Sequence, residues 1–235
     1  MQNLGTSYGG WSIPLSIELD SNSIVYSAGV GEDISFDLNL QDKYKCNIIL
    51  IDPTKRALAH FKEVRDYYAK KNVKFSGSIQ PDYLTNICTL NPNFDKFSYI
   101  NKGVYKEKSV LKFYKQTNPK YISQSLVDNM FGKDYDEVEV DSLKNIISKH
   151  NHNRIDLLKL DIEGAEVDVL EQMLNDQIYP KYLCVEFDLL LKNKDPNGLT
   201  KKIIDRLQRN NYKILINKNL NITFKLTSKI NIYSV

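Results

Sequence analysis

The stretch that most constrains this chain is Ser23-Ile24-Val25-Tyr26-Ser27-Ala28-Gly29-Val30-Gly31-Glu32-Asp33. A β-branched and aromatic run leads straight into a turn bracketed by two glycines, and an apolar pattern (Ile34, Phe36, Leu38, Leu40) follows. That order predicts a strand, a tight turn and the start of a helix. Gly29 and Gly31 admit positive φ and lack the Cβ atoms that would hold a ligand off the backbone. The helix N-terminus offers unpaired N–H groups to whatever sits in the turn. About twenty residues on, a second apolar run, Asn47-Ile48-Ile49-Leu50-Ile51, ends in Asp52-Pro53. An acidic side chain at that strand tip is placed to accept hydrogen bonds from a ribose diol.

The kind of cofactor follows from what the turn lacks. A dinucleotide fingerprint needs a third small residue three positions after the second glycine. Ile34 stands there, and Glu32 and Asp33 crowd the turn. Those carboxylates would repel a pyrophosphate but not the amino group of S-adenosylmethionine (SAM). A strand, glycine turn and helix with no ligand account for the same few residues, since short glycine motifs recur widely.

A chain of 235 residues suits one α/β domain with a sizeable core. It divides into an N-terminal arm (1–22) and the domain proper (23–235). The arm carries Tyr8-Gly9-Gly10-Trp11-Ser12-Ile13-Pro14 with the chain's only Trp. It reads either as an anchored arm or as a loop covering the cofactor. The net charge of +3, from 32 basic and 29 acidic residues, is dispersed along the chain. A nucleic-acid binder would concentrate a basic face, so neither nucleic acid nor membrane is an expected partner. Cys46, Cys88 and Cys184 are odd in number and far apart; their spacing suits neither metal nor redox work, and Cys46 and Cys184 read as buried thiols. No leader and no apolar run of membrane-spanning length is visible, so the cytoplasm is the expected location. A homo-oligomer is compatible with all of this.

Further along, residues 54–71 predict a helix with Thr54 as N-cap. Val73–Ser78 predicts a short strand, Phe97–Asn101 a third core strand, and Val110–Tyr114 a hairpin-like addition. Residues 115–135 are polar and lack periodicity, which suggests an inserted substrate lid. Val138–Val140 predicts a short edge-like strand and Ser142–Ser148 a helical turn or two. Ile155–Leu160 and Tyr182–Val185 predict buried strands, each followed by a helix. Strands near 212–216, 222–226 and 230–233 close the chain. The alternation implies an α/β fold with a mostly parallel open sheet and an antiparallel end.

Ligands of such sheets bind outside the carboxyl ends of the strands. Acidic residues recur there: Glu32, Asp52, Asp161, Glu163, Glu186 and Asp188. If the chain stays extended, Asp161 and Glu163 point the same way, as do Glu186 and Asp188. Clustered carboxylates raise each other's proton affinity, which suits a general base, or they bind a hard cation such as Mg²⁺. If Mg²⁺ is used, Asp161 and Glu186 are its expected ligands. Glu166 is expected to favour a helix N-terminus electrostatically. His60 falls in a helical pattern, and His150 and His152 precede the fourth core strand, away from the ligand end.

Tyr26–Asp33, Ile51–Thr54, Leu157–Glu166 and Val185–Phe187 together resemble the FkbM family of SAM-dependent methyltransferases, with Lys159-Leu160-Asp161-Ile162-Glu163-Gly164-Ala165-Glu166 the most specific segment. The similarity runs from about residue 23 to 188. Tyr121–Ser125 also resembles a serine-rich loop of the family, with Gln124 where a histidine is usual. The resemblance implies a class I (Rossmann-like) methyltransferase fold and methyl transfer to oxygen, commonly on sugars or secondary metabolites. Carried over by position, Ser27, Gly29 and Gly31 would line the methionine end of SAM, with Glu32 also among the expected cofactor-binding residues. Asp52 would hold the ribose, Asn101 and Gly103 would lie near the adenine, and Asp161 would face the methionine amine and the reacting centre. The expected chemical centre is Asp161, supported by Glu163 and Glu186. The expected acceptor is a small hydroxylated molecule, a nucleotide-linked sugar or a surface glycan in polysaccharide biosynthesis. RNA methylation and a non-catalytic SAM-binding module are the rival readings.

Overall fold

Five runs become the parallel part of one sheet, and the four inner ones are largely apolar on both faces and need helices on either side. The computed structural model describes residues 1–115, 124–125, 135–190, 195 and 198–227. In chain order the elements begin with β1 (Gln2–Leu4), β2 (Trp11–Ile13), β3 (Ile24–Ala28), α1 (Ser35–Tyr44), β4 (Asn47–Ile51), α2 (Lys55–Tyr68) and α3 (Tyr83–Ile87). There follow β5 (Phe97–Ile100), β6 (Gly103–Tyr105), β7 (Ser109–Lys115), β8 (Gln124–Ser125), β9 (Tyr135–Ser142) and α4 (Leu143–Lys149). The rest comprises β10 (Leu157–Leu160), α5 (Glu166–Asn175), β11 (Tyr182–Glu186), α6 (Leu199–Arg209), β12 (Tyr212–Lys218) and β13 (Asn221–Leu226).

The main sheet runs β12-β13-β11-β10-β3-β4-β5. β5, β4, β3, β10 and β11 are parallel, while β13 is antiparallel to both β11 and β12. This is the expected mostly parallel sheet with an antiparallel end. Alternation splits each strand between two cores. On one face Tyr26, Leu158, Leu160, Leu183 and Val185 pack with α4, α5 and α6. On the other, Val25, Ile48, Leu50, Leu157 and Tyr182 pack with α1, α2 and α3. Thr54 caps α2 by accepting from Ala57 N, as expected.

The N-terminal arm folds as an antiparallel hairpin of β1 and β2. Its Leu4, Trp11 and Ile13 are buried in the second core, and Trp11 Nε1 donates to Thr223 Oγ1 at 3.1 Å. Thr6 Oγ1 donates to Asp33 Oδ2 at 2.5 Å, which fastens the hairpin beside the glycine turn.

Two expected strands differ. Val73–Ser78 forms no strand: side chains, not a neighbouring strand, satisfy its backbone, with Ser76 N donating to Glu63 and Ser78 N to Glu32. Around Val138–Val140 the strand is neither short nor an edge. β9 is eight residues long and lies inside a second sheet ordered β6-β9-β7-β8. The Val110–Tyr114 addition belongs to that sheet. Most of the lid expected at 115–135 and the strand at 230–233 lie outside the described residues.

Candidate functional site

The glycine turn owes its shape to two different needs. Gly29 (φ 77°) passes so close to β10 that a Cβ there would lie 1.6 Å from the Asp161 carbonyl oxygen. Its lack of a side chain therefore lets two strand tips meet. Gly31 (φ 53°) is the opposite case, since nothing lies within 4 Å of where its Cβ would be. Gly31 N donates to Asp52 Oδ2 at 3.0 Å, while Asp52 Oδ1 accepts from Thr54 N at 2.8 Å and Thr54 Oγ1 at 2.6 Å. Burial pushes the Asp52 carboxyl up. Each carboxylate oxygen keeps acceptor capacity, so Asp52 lies at the tip of β4 as expected and can still receive a diol.

Glu32 is placed differently from a simple turn carboxylate. It is buried and accepts from Arg56 Nη2 at 2.7 Å and Nε at 3.1 Å, a bidentate pair that braces the turn against α2. Ser27 Oγ is buried on β3 beside the buried Asp37 carboxyl. Asn101 is exposed after β5, and Gly103 opens β6 beside Pro53 and Val140.

The centre of the site is a charge cluster at the tips of β10 and β11. Lys159, buried within β10 between Ser27 of β3 and Cys184 of β11, places Nζ 2.9 Å from Asp161 Oδ2. Burial disfavours its charge, but Asp161 and Asp37 more than offset this and the ammonium is held above its ordinary range. Burial, with Asp161 and Asp188 beside it, pushes the Glu186 carboxyl up to about 9. Burial and the neighbouring Glu166, Glu163 and Asp161 push Asp188 up to about 9 as well. Glu166 is fully buried and accepts from Ile162 N and Gly164 N. Burial is the main reason its carboxyl rises to about 7. The Glu166 and Asp188 carboxyls lie against each other, and one oxygen of each is buried in that contact.

The structure thus brings Asp161, Glu163, Glu186 and Asp188 to one end of the sheet, with one correction of geometry. Glu163 has φ 55° and Gly164 φ 104°, so the chain turns sharply after Ile162 and strand alternation does not relate Glu163 to Asp161. Glu166 does more than favour its helix electrostatically, because its carboxylate ties that turn together. Lys159 was not among the expected residues. A lysine flanked by Leu158 and Leu160 in a four-residue buried strand was the available signal, since such a charge requires a counterion.

Among the described residues no group of three or more His, Cys, Asp or Glu side chains is arranged to hold a metal ion. Asp161 meets an ammonium instead, so the arrangement does not support the expected Mg²⁺ pair of Asp161 and Glu186. The histidines lie elsewhere. His60 is buried against Tyr83, and burial lowers it to about 4. His152 Nδ1 lies 2.7 Å from Tyr26 Oη. Cys46 and Cys184 are buried free thiols. Among the described residues no helix is long and apolar enough to cross a membrane.

The family model described as the Methyltransferase FkbM domain matches residues 17–214. The chain belongs to the FkbM methyltransferase family. Its sheet order and antiparallel end are those of the class I, Rossmann-like methyltransferase fold. No curated protein sequence matches the chain. Among solved structures, it is similar to a fibrillarin pre-rRNA processing protein of Methanococcus jannaschii, at 13% identity and a TM-score of 0.45, covering 92% of this chain and 71% of that one. A chain of a fibrillarin/Nop5p complex is similar at 10% identity and a TM-score of 0.43, covering 88% of this chain and 72% of that one.

Membership of the FkbM methyltransferases implies SAM as the methyl donor, and two features of the site fit it. The space beyond Gly31 is open, and the partly exposed Asp161 carboxylate suits a ligand with a cationic amine and sulfonium. Gly29→Ala is predicted to prevent folding, because the clash is with backbone. Gly31→Ala should fold, with a strain cost of about 1 kcal/mol, yet bind S-adenosylhomocysteine at least about tenfold more weakly. Thermal melting and calorimetry check both; wild-type affinity in Gly31→Ala would contradict the placement.

The raised carboxyls also predict how stability depends on pH. Glu186 and Asp188 stay protonated in the native state to about pH 9, whereas the unfolded chain releases those protons near ordinary carboxyl values. The native state therefore binds more protons, and its stability falls as pH rises through that interval. Melting temperature should decline from about pH 7 to about pH 9, and decline less in Asp188→Asn. Equal slopes in the two proteins would count against the shared burial of this cluster.

Proposed function

We propose that this FkbM methyltransferase transfers a methyl group from SAM to a hydroxyl of a small molecule, with a sugar, nucleotide-linked or part of a surface glycan, as the acceptor. The observation that carries this reading is the juxtaposition at the tips of β10 and β11 of one ion-paired carboxylate, Asp161, with carboxyls whose protons are retained by burial. When bound, SAM supplies a methyl carbon made electrophilic by its sulfonium. Asp52 receives the ribose diol, and the Gly29–Gly31 turn lets the ligand approach the backbone, with Ser27 beneath it. Asn101 and Gly103 line the adenine side.

A sugar hydroxyl is a weak acid, so the protein's tasks are alignment and proton removal. In this reading Asp161 takes the hydroxyl proton while Lys159 holds its other side and fixes its direction. Glu186 keeps its own proton at neutral pH and donates to Asp161 or to the acceptor oxygen, which orients both. Glu163 supports the same wall from the turn after β10. The dispersed charge of +3 supports a small acceptor over RNA, whose binding would rest on phosphate contacts.

Methyl transfer from radiolabelled SAM to a panel of nucleotide-sugars tests the proposal. Product should form without added metal and persist in EDTA. Asp161→Asn, which removes the base, should lower turnover about a hundredfold or more, and Glu186→Leu, which removes the neutral donor, about tenfold, while S-adenosylhomocysteine affinity in Glu186→Leu stays within about twofold of wild type. Turnover at the wild-type rate in both variants would remove these residues from the chemical centre.

A further inference from the structure

Beyond Glu186 the ladder continues to a part of the molecule that the cofactor residues do not reach. Glu186 is directly opposite Asn221 of β13, and Asn221 is opposite Lys218 of β12. One row further in, Cys184 is opposite Thr223, and Thr223 is opposite Ile216. Opposed residues share a sheet face, so Glu186, Asn221 and Lys218 form one line across three strand ends. The N-terminal hairpin roofs that line through Trp11, whose Nε1 donates to Thr223 Oγ1. Between roof and sheet lies a cavity of about 230 Å³, lined by Asn3, Trp11, Ser12, Lys218, Asn221 and Thr223 among others.

The chemistry of the lining is selective. Apart from Gly10 and the aliphatic Ile216 it presents amides, hydroxyls and one indole, and Lys218 is the one charged side chain among the described lining residues, whereas the neighbouring strand tips carry carboxylates. Lys218 Nζ donates to Asn3 Oδ1 at 3.2 Å, and Asn221 Oδ1 is buried without a partner. The volume is below the roughly 300–1,000 Å³ of sites for drug-sized ligands, which suits a single sugar ring. The glycine turn and Asp52 lie at the tips of β3 and β4, across β10 and β11 from this edge of the sheet. A ring held at Asn221 would lie beside Glu186, its partner across the ladder.

We infer that the cavity between the hairpin and the β12–β13 edge is the acceptor subsite, taking one hydroxyl-rich ring that carries an anionic group, with the anion at Lys218 and a ring hydroxyl at Asn221. The inference rests on the methyl-transfer reading above. Glucose 1-phosphate, glucuronic acid and neutral glucose serve as probes, titrated by saturation-transfer NMR against protein loaded with S-adenosylhomocysteine. At least one anionic probe should bind, about tenfold or more tightly than glucose. Lys218→Ala, at an exposed position, and Asn221→Leu should each weaken that probe about tenfold, the loss of one polar contact. S-adenosylhomocysteine affinity and melting temperature should be unchanged in both variants. Loading that succeeds while no anionic probe binds, or binding that both variants leave intact, overturns the subsite alone. Failure of the wild type to bind S-adenosylhomocysteine overturns the methyl-transfer reading and the subsite with it.

Discussion

The buried ion pair between Lys159 and Asp161 is the interaction on which the site depends. Five acidic side chains, Asp161, Glu163, Glu166, Glu186 and Asp188, converge where β10 and β11 end, with Glu166 and Asp188 buried and the other three half-buried. Without a cation they would have to take up further protons or separate, because like charges in a poorly solvated space repel strongly. Lys159 supplies that cation from inside the sheet. Its Nζ also lies 5.5 Å from the Trp11 ring centroid, an added cation–π contact. The same ammonium therefore links the carboxylate cluster to the N-terminal hairpin. Removing one partner of such a pair typically costs about 3–5 kcal/mol, with the lower end appropriate here because the Asp161 side chain is 27% exposed.

Protons complete what one ammonium leaves unbalanced. Glu186 and Asp188 are held neutral chiefly by burial, so the cluster contains both acceptors and donors at neutral pH. That mixture is what an alignment task requires, since a wall of identical carboxylates could only accept. The glycine turn and Asp52 form a separate and simpler half of the site, where backbone geometry does most of the work. Arg56 braces that half through Glu32, which explains an acidic turn residue without assigning it to a ligand.

Much of this was legible in the chain itself. Runs such as Asn47–Ile51 and Leu157–Leu160 are apolar on both faces, and buried parallel strands require that. Acidic residues at their ends mark the ligand side by a rule of topology. Other features depend on distances that no local pattern encodes. The 1.6 Å conflict at Gly29 involves Asp161, more than a hundred residues away in sequence. The positive φ of Glu163 breaks the alternation that its neighbours imply, and a non-glycine residue gives no warning of it. Val73–Ser78 alternates like a strand but lies where Glu63 and Glu32 satisfy its backbone. The hairpin's place over β12 and β13 joins the two ends of the chain, which only the fold brings together.

One measurement addresses the whole arrangement: a crystal structure of the protein with S-adenosylhomocysteine. The account predicts the ribose hydroxyls on Asp52, the homocysteine portion over Gly31 and Ser27, and the sulfur facing Asp161, with the cavity beneath the hairpin left clear. A ligand seated at the opposite end of the sheet, near His150 and His152, or one lying in the cavity of Trp11 and Asn221, would contradict it.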